Sequence, residues 1–189
     1  MASGTIEAAT AHITAVAARL KLVNQQIKQA HRRLDELSDK LAEGREEDAP
    51  GQKSKQRDVT ILRSLPGVGR IVLATLLGEA AEPLRKRDYH ALRTLSGVAP
   101  VTRRSGKRCV VLMRQACHLR LRTAVYHWAR VAIQHDARSR ARYAELRKRG
   151  HSHGRALRSV ADRLLAVACA MLKSQTTFDS EHAVNAVAA

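Results

Sequence analysis

The amino-acid sequence predicts a mainly α-helical protein in which an N-terminal coiled-coil helix precedes a compact helical domain with one small β-hairpin. Apolar residues up to position 41 recur at alternating steps of three and four, as they do along a coiled-coil seam. After position 58 the apolar spacing stays helical, and strand-like alternation occurs at one short place. A core of helices with a single hairpin follows from these observations.

The N-terminal helix is expected over residues 1–43. A lone amphipathic helix lying on its own domain would show an apolar stripe that follows 3.6 residues and widens, whereas a strict 3.5 repeat is typical of helices that associate. We therefore expect this helix to form a homo-oligomer or to pair with another helix. The seam positions are Ile13, Val16, Leu20, Val23, Ile27, Ala30, Leu34, Leu37 and Leu41.

The rest of the chain is expected to contain a polar linker, a domain and a frayed tail. Residues 44–57 are polar and contain the breakers Pro50 and Gly51, which is typical of a linker. The domain is expected over residues 58–179 and the tail over residues 180–189. Within the domain we predict helices over residues 70–80, 88–95, 113–135, 138–149 and 155–173.

Two predicted helices have apolar faces that identify candidate core residues. Helix 113–135 is expected to bury Ala116, Leu119, Thr123, Tyr126 and Ile133, and Trp128 is also a core candidate. Helix 155–173 is expected to bury Leu157, Val160, Leu164, Val167, Ala168 and Met171. The hairpin should pair residues 98–102 with residues 109–112.

The charge of the chain points to a polyanionic partner. The 189 residues carry 34 Lys+Arg and 17 Asp+Glu, a formal net charge of +17. Residues 1–50 hold 7 cations and 8 acids, so residues 51–189 hold 27 and 9, or +18. Such a basic domain is typical of nucleic-acid binding, and an aromatic content of 3% argues against a base-stacking platform.

Targeting signals and metal-ligand patterns are absent from the sequence. It contains neither an apolar run of membrane-spanning length nor a signal-peptide pattern, and its three cysteines form no CxxC pair. His151 and His153 lack a third ligand at zinc spacing. We expect a cytoplasmic protein with no membrane partner and no metal site.

A glycine-rich turn lies between two apolar helical stretches at residues 61–79. Its form is that of a helix-hairpin-helix, in which glycines leave the backbone N–H groups of the second helix open to a DNA phosphate. The candidate contacts are Gly67, Val68, Gly69 and Arg70. An ordinary corner between two helices is the alternative.

Two basic segments are further candidates for phosphate contact. Ser105 lies between the cations Arg103, Arg104, Lys107 and Arg108, which could offset charge on a phosphate attacked by a serine oxygen. From the residues alone a basic structural turn is favoured over a nucleophile. The second segment, residues 138–149, is either a phosphate-binding helix or a solvated face. It contains one acid and six cations, which are Arg138, Arg140, Arg142, Arg147, Lys148 and Arg149.

The order of these motifs resembles the C-terminal half of the IS-one-ten family of insertion-sequence transposases, which are RuvC-like, bridge-RNA-guided recombinases. The resemblance rests on LRSLPGVGRIVLATLLGE, the LSGVAP block, RRSGK, the Arg-rich helix and ALRSVADRLLAVACAMLK, and it covers about residues 58–179. The family position of the serine nucleophile corresponds to Ser105. The family often reads Ser-Ser-Gly-Gly there, where this chain has Arg104 and Lys107 beside the Ser-Gly pair.

The resemblance also implies what this chain would need for chemistry. The family carries a RuvC-like domain with four acidic residues for two-metal catalysis, so Mg²⁺ is expected only with that domain and the chain alone is expected to be inactive. DNA and a structured guide RNA are the implied partners, and the resemblance implies a bacterial, nucleoid-associated location. The chain reads as a truncated transposase, a separate C-terminal half or an excised piece of one. A non-catalytic, dimeric DNA- or RNA-binding module or regulator is the alternative.

Overall fold

A computed structural model describes residues 3–43, 52–106 and 108–179, with the backbone alone for residues 52–57. This described part is mainly helical, with eight helices and one two-stranded antiparallel sheet, which confirms the predicted fold class. The chain divides into two compact units, Met1–Lys40 and Leu41–Ala189. The predicted tail at 180–189 lies outside the described residues.

The first unit is built on a long helix, α1, which spans Ser3–Glu43. The helix agrees with the expected range of 1–43. Eight of its nine seam residues are exposed in the single chain, with Ile13 67% and Leu20 60% exposed, and Leu34 is partly buried. An apolar stripe of this length facing water is the feature expected of a helix that lacks its partner.

The second unit contains the remaining elements. The helices are α2 (Gln52–Ser64), α3 (Arg70–Glu79), α4 (Ala81–Arg85), α5 (Tyr89–Leu95), α6 (Leu119–His135), α7 (Ala137–Lys148) and α8 (His153–Ser174), and the strands are β1 (Val101–Ser105) and β2 (Arg108–Leu112). α2 begins inside the expected linker of 44–57, because residues 52–58 contain neither Pro nor Gly and are rich in helix formers.

Side-chain caps fix where four helices begin. Asp88 accepts a hydrogen bond from the Ala91 N–H at 2.9 Å, and Asp136 accepts one from the Ser139 N–H at 2.8 Å. His118 and Ser152 cap α6 and α8 in the same way. Because such caps satisfy the free N–H groups of the first turn, α6 starts at Leu119 and not at the predicted residue 113.

α6 is the central helix of the second unit. It packs against α3, α7 and α8, and its Trp128 side chain is completely buried. The predicted inward face of α8 is confirmed, since Val167 is partly buried against the core and the other five residues are buried. The largest fully buried side chains are Trp128, Ile61, Leu62, Leu73, Leu76, Leu92, Leu121, Leu157, Leu165, Leu172, Val59 and Val125.

The predicted inward face of α6 is wrong. Leu119 is 62% exposed and Tyr126 is 38% exposed, while Ala116 and Thr123 are also exposed and Ile133 is partly buried. The prediction chose one of two overlapping apolar stripes, and packing against α3 and α8 selected the other. The buried residues of α6 are Leu121, Ala124, Val125, Trp128, Ala129 and Ala132.

Two half-buried ion pairs join distant parts of the second unit. Arg87 donates to both carboxylate oxygens of Asp58, at 2.7 and 2.6 Å. Arg93 donates to both oxygens of Asp162, at 3.0 and 2.7 Å, and the Tyr89 hydroxyl donates to the same carboxylate at 2.7 Å. Burial and this carboxylate raise the pKa of Tyr89 to about 12, so the phenol stays a donor at neutral pH.

The turn between α2 and α3 lies directly on α6. The indole N–H of Trp128 donates to the Pro66 carbonyl at 2.9 Å. Gly67 has a φ of +82°, and a Cβ built there would lie 2.8 Å from the backbone nitrogen of Ala132. Gly67 is therefore required both by its backbone conformation and by the close approach of α6.

We expect Gly67→Ala to lower the free energy of unfolding by about 1–3 kcal/mol from the backbone conformation alone, with the contact to α6 adding to the loss. Urea unfolding followed by circular dichroism measures this change. Gly78→Ala is the control, because Gly78 lies in α3 with nothing within 4 Å of its added Cβ and should gain about 0.5–1 kcal/mol. Equal stability of Gly67→Ala and the wild type would contradict the packing role of the turn.

Candidate nucleic-acid interface

The predicted Ser105 site lies on a β-hairpin whose ten strand residues are all exposed. β1 and β2 pair in antiparallel register, with Val101 opposite Leu112 and Ser105 opposite Arg108. The predicted first strand, residues 98–102, is wrong by a shift of three residues, because β1 spans Val101–Ser105, whereas β2 begins one residue before the predicted 109–112. Ser105 therefore ends a strand instead of lying in a loop. The hairpin therefore presents Ser105 next to its tip.

Strand alternation divides the basic residues between the two faces of the hairpin. Residues directly opposite each other share a face, and successive residues alternate. The pairing of Arg103 with Val110 and of Ser105 with Arg108 places Arg103, Ser105 and Arg108 on one face. Arg104 lies opposite Cys109 on the other face. Lys107 lies outside the described residues.

This face has part of the chemistry needed at a phosphodiester. Arg103 and Arg108 flank the Ser105 hydroxyl and can neutralise charge on a phosphate. The segment 101–112 contains neither a carboxylate nor a histidine, which are the groups that most often take a proton from a serine. The hairpin supplies a hydroxyl and positive charge, and a carboxylate or histidine base would come from outside it.

Two of the four residues predicted to contact the DNA backbone at the α2–α3 turn are exposed, and the other two face the protein core. Gly69 precedes the first turn of α3, which no side chain caps, and Gly69, Arg70 and Ile71 are exposed. N–H groups at such an uncapped helix start can receive a phosphate oxygen. Gly67 instead faces α6, and Val68 packs against the core. Among the four predicted residues, Gly69 and Arg70 are the ones that a duplex can reach directly.

Most of the basic residues of α7 have partners within the protein. Arg140 donates to two carbonyl groups at the C-terminal end of α6, and Arg147 donates to a carbonyl in the loop after α7 at 2.7 Å. Arg142 and Arg149 both pair with Glu145. Because these cations stabilise helix ends or share one carboxylate, α7 offers less unpaired charge than its sequence indicates.

The two other predicted residues of α7, Arg138 and Lys148, are exposed near opposite ends of the helix. Phosphate binding by the whole basic run stays a prediction. It would use the exposed parts of guanidinium groups that already bridge elements of the fold.

The carboxylates that the structure describes in the second unit do not fit a two-metal site. Asp58 and Asp162 are held by arginines, and Glu79 contacts His118 and Arg120 at 3.3 and 3.2 Å. Across the part of the chain that the structure describes, no three His, Cys, Asp or Glu residues are grouped to hold a metal ion. None of the described helices is long and apolar enough to cross a membrane.

One cluster of side chains near the hairpin has no sequence signal. Arg122 of α6 and Arg158 of α8 line a single pocket together with Tyr126. Arg122 and Tyr126 belong to no motif that the sequence analysis used, Arg158 lies in the ALRSVADRLLAVACAMLK segment without an assigned role, and the expected face of α6 placed Tyr126 in the core. Only the way in which α6 packs on α8 brings them together.

The segment that contains the hairpin and the start of α3 is similar to known proteins. Residues 59–144 match a family model described as the transposase IS116/IS110/IS902 family. Over 127 residues the chain is 34% identical to a mini-circle IS117 protein of Streptomyces coelicolor that is named as a candidate transposase. Over 119 residues it is 34% identical to a 44.8 kDa protein of insertion element IS116 from Streptomyces clavuligerus.

A third relative extends the same pattern. The chain is 32% identical over 126 residues to a 42 kDa protein of insertion element IS900 from Mycobacterium paratuberculosis. The matched segments cover 67%, 62% and 66% of this chain, but 31%, 30% and 32% of the three relatives. The chain thus corresponds to about a third of the length of these relatives.

Proposed function

We propose, from the transposase IS116/IS110/IS902 family domain that residues 59–144 carry, that this chain is the DNA-binding C-terminal portion of an insertion-sequence transposase or recombinase. It contributes a serine nucleophile, Ser105, to DNA strand cleavage and transfer when it is combined with a RuvC-like domain. The observation that carries the proposal is the position of Ser105 on an exposed hairpin inside this family segment, between Arg103 and Arg108 on one face.

The proposed step is a transesterification. The Ser105 oxygen forms a bond to phosphorus, the ester bond between phosphorus and one sugar oxygen breaks, and the serine proton ends on the departing sugar hydroxyl. Arg103 and Arg108 neutralise the charge on the phosphate oxygens as the bond forms. The proton acceptor and Mg²⁺ belong to the RuvC-like domain, because within the described residues Asp58 and Asp162 are held in ion pairs and no acidic cluster is grouped to hold a metal ion.

DNA binding rests on charge and on two exposed places in the second unit. The segment 51–189 carries a formal charge of +18 by sequence, and its affinity for DNA should come mainly from the phosphate backbone. The uncapped start of α3 and the Ser105 face of the hairpin are the proposed contacts. A structured guide RNA would meet the same positive charge.

A non-catalytic nucleic-acid-binding module or regulator is the second candidate function. The hairpin favours it in one respect, since segment 101–112 contains neither a carboxylate nor a histidine to act as the base. In this case the chain would hold DNA or RNA without cutting it. The covalent test below distinguishes the two functions.

The α1 helix is proposed to form a homo-oligomer through its seam. Val16, Val23 and Ile27 are 46–47% exposed and Leu20 is 60% exposed. Burying a stripe of this kind on a second copy removes apolar surface from water and forms a coiled coil. Pairing would give the assembly two copies of the Ser105 hairpin.

The covalent role of Ser105 is tested with end-labelled branched DNA, Mg²⁺ and a RuvC-like domain supplied as a separate polypeptide. We expect a protein–DNA adduct that survives denaturant with the wild type and is lost with Ser105→Ala, because the attacking oxygen is removed. Thr102→Ala is the matched control, since Thr102 lies on the opposite face of β1, and it should keep the adduct. A denaturing gel measures the adduct.

An adduct that persists in Ser105→Ala would contradict the nucleophile. DNA retardation in a native gel without an adduct for any variant would favour the non-catalytic module. Binding by Ser105→Ala should equal that of the wild type, because the exposed hydroxyl contributes little charge.

The α1 seam is tested by one substitution on it and one beside it. Leu20→Lys should lower the mass measured by light scattering to that of a single chain, because it places a charge in the seam. Leu22→Lys is the control: Leu22 is 54% exposed but lies off the seam, so the oligomer should survive. A single-chain mass for the wild type, or equal masses for the two variants, would contradict the assignment.

A further inference from the structure

A pocket of about 380 Å³ opens beside the base of the hairpin. Val98, three residues before β1, and Met113, the residue after β2, form part of its wall. Residues of α6 and α8 form the rest. The volume lies within the range of about 300–1,000 Å³ found for small-ligand sites, so the pocket has room for a single planar group.

The inner wall of the pocket is mainly apolar. Val125, Leu157 and Ala161 are buried core residues that also line it. Tyr126 and Met113, each 38% exposed, stand at the opening. An aromatic ring and a thioether beside an apolar cavity form a suitable surface for a nucleobase, which is flat and polarizable.

Two arginines bring positive charge to the same pocket. Arg122 and Arg158 are half-buried, and no carboxylate in the described part of the chain pairs with either. The Arg122 guanidinium donates to the Gln115 side-chain oxygen at 3.5 Å. Burial lowers the pKa of Arg158, and Arg155 adds to this effect. A partly desolvated cation without a counter-ion favours an anionic ligand.

We propose that this pocket receives one unstacked nucleotide of the bound DNA, with its base against Tyr126 and Met113 and its phosphate on Arg122 and Arg158. The proposal rests on the proposed DNA-binding function and adds a site for a nucleotide outside the helical stack. It combines in one ligand the two chemistries that the pocket presents, an apolar planar surface and an anion-binding pair.

The position of the pocket favours a nucleotide of a DNA strand over a free small anion. Val98 and Met113 line the pocket, and they lie beside the start of β1 and the end of β2, at the base of the hairpin. Ser105 lies four residues along β1 from Val101, about 13 Å at the usual rise per residue. A strand that contacts the Ser105 face can therefore reach the pocket within a few nucleotides. Extrusion of a base costs least where the base is unpaired.

The test compares two labelled duplexes that differ in one unpaired nucleotide in the middle of one strand. The full chain is titrated with each, and fluorescence anisotropy gives the two affinities. The wild type should bind the bulged duplex about tenfold more tightly, the size expected for one base stacked on an aromatic side chain. Tyr126→Ala should remove this preference and keep the affinity for the paired duplex, and Tyr126→Phe should retain the preference.

Arg158→Gln should also reduce the preference, whereas Arg155→Gln should lower both affinities by the same factor. Arg155 is a matched control because it is an exposed arginine one turn earlier on α8 that does not line the pocket. Circular dichroism confirms that each variant is folded. If Arg158→Gln is unfolded, the comparison of Tyr126→Ala with Tyr126→Phe alone tests the nucleotide pocket.

Equal affinity of the wild type for the two duplexes would overturn the nucleotide pocket and leave DNA binding intact. A preference that survives both Tyr126→Ala and Arg158→Gln would overturn it as well. Absence of binding to either duplex would overturn the proposed DNA-binding function itself. If the bulged duplex is preferred over the paired duplex only when both are made of RNA, the assignment of the pocket to DNA would be overturned.

Discussion

The contact between the Pro66–Gly67 turn and α6 is the constraint on which the rest of the second unit depends. Gly67 approaches the α6 backbone so closely that a side chain has no room, and the Trp128 indole N–H holds the Pro66 carbonyl. The contact fixes the angle at which α3 leaves the turn, and Glu79 at the end of α3 then meets His118 at the start of α6. The chain passes from β2 to α6, whose first turn is capped by His118. The base of the hairpin is therefore anchored to the same core.

The electrostatic character of the surface follows from how the core uses its charges. The carboxylates Asp58 and Asp162 are occupied by Arg87 and Arg93, and Glu145 is shared by two arginines of α7. Asp58 and Asp162 thus join separate elements of the second unit, and no described carboxylate pairs with Arg122 or Arg158 of the pocket. The Ser105 face of the hairpin carries Arg103 and Arg108, and the neighbouring pocket carries Arg122 and Arg158. The base of the hairpin connects these two basic regions.

The sequence predicted the elements better than their faces. Periodicity and breakers placed α3, α5, α7 and α8 within two residues of the ends expected, because capping side chains and glycines act locally. The inward face of α6 was missed, since two apolar stripes overlap on it and only packing against α3 and α8 decides between them. For the same reason the sequence could not predict that Tyr126, Arg122 and Arg158 line one pocket, whereas Ser105 is a candidate from the sequence alone because it lies in a short basic segment.

Amide hydrogen exchange with and without duplex DNA tests the central claim, that the hairpin and the start of α3 form the nucleic-acid interface. DNA should slow exchange in peptides covering residues 101–112 and 69–73 and leave the buried part of α8 unchanged, because the phosphates cover exposed N–H groups at these places. Protection confined to α7 or α1, with the hairpin unchanged, would contradict this account.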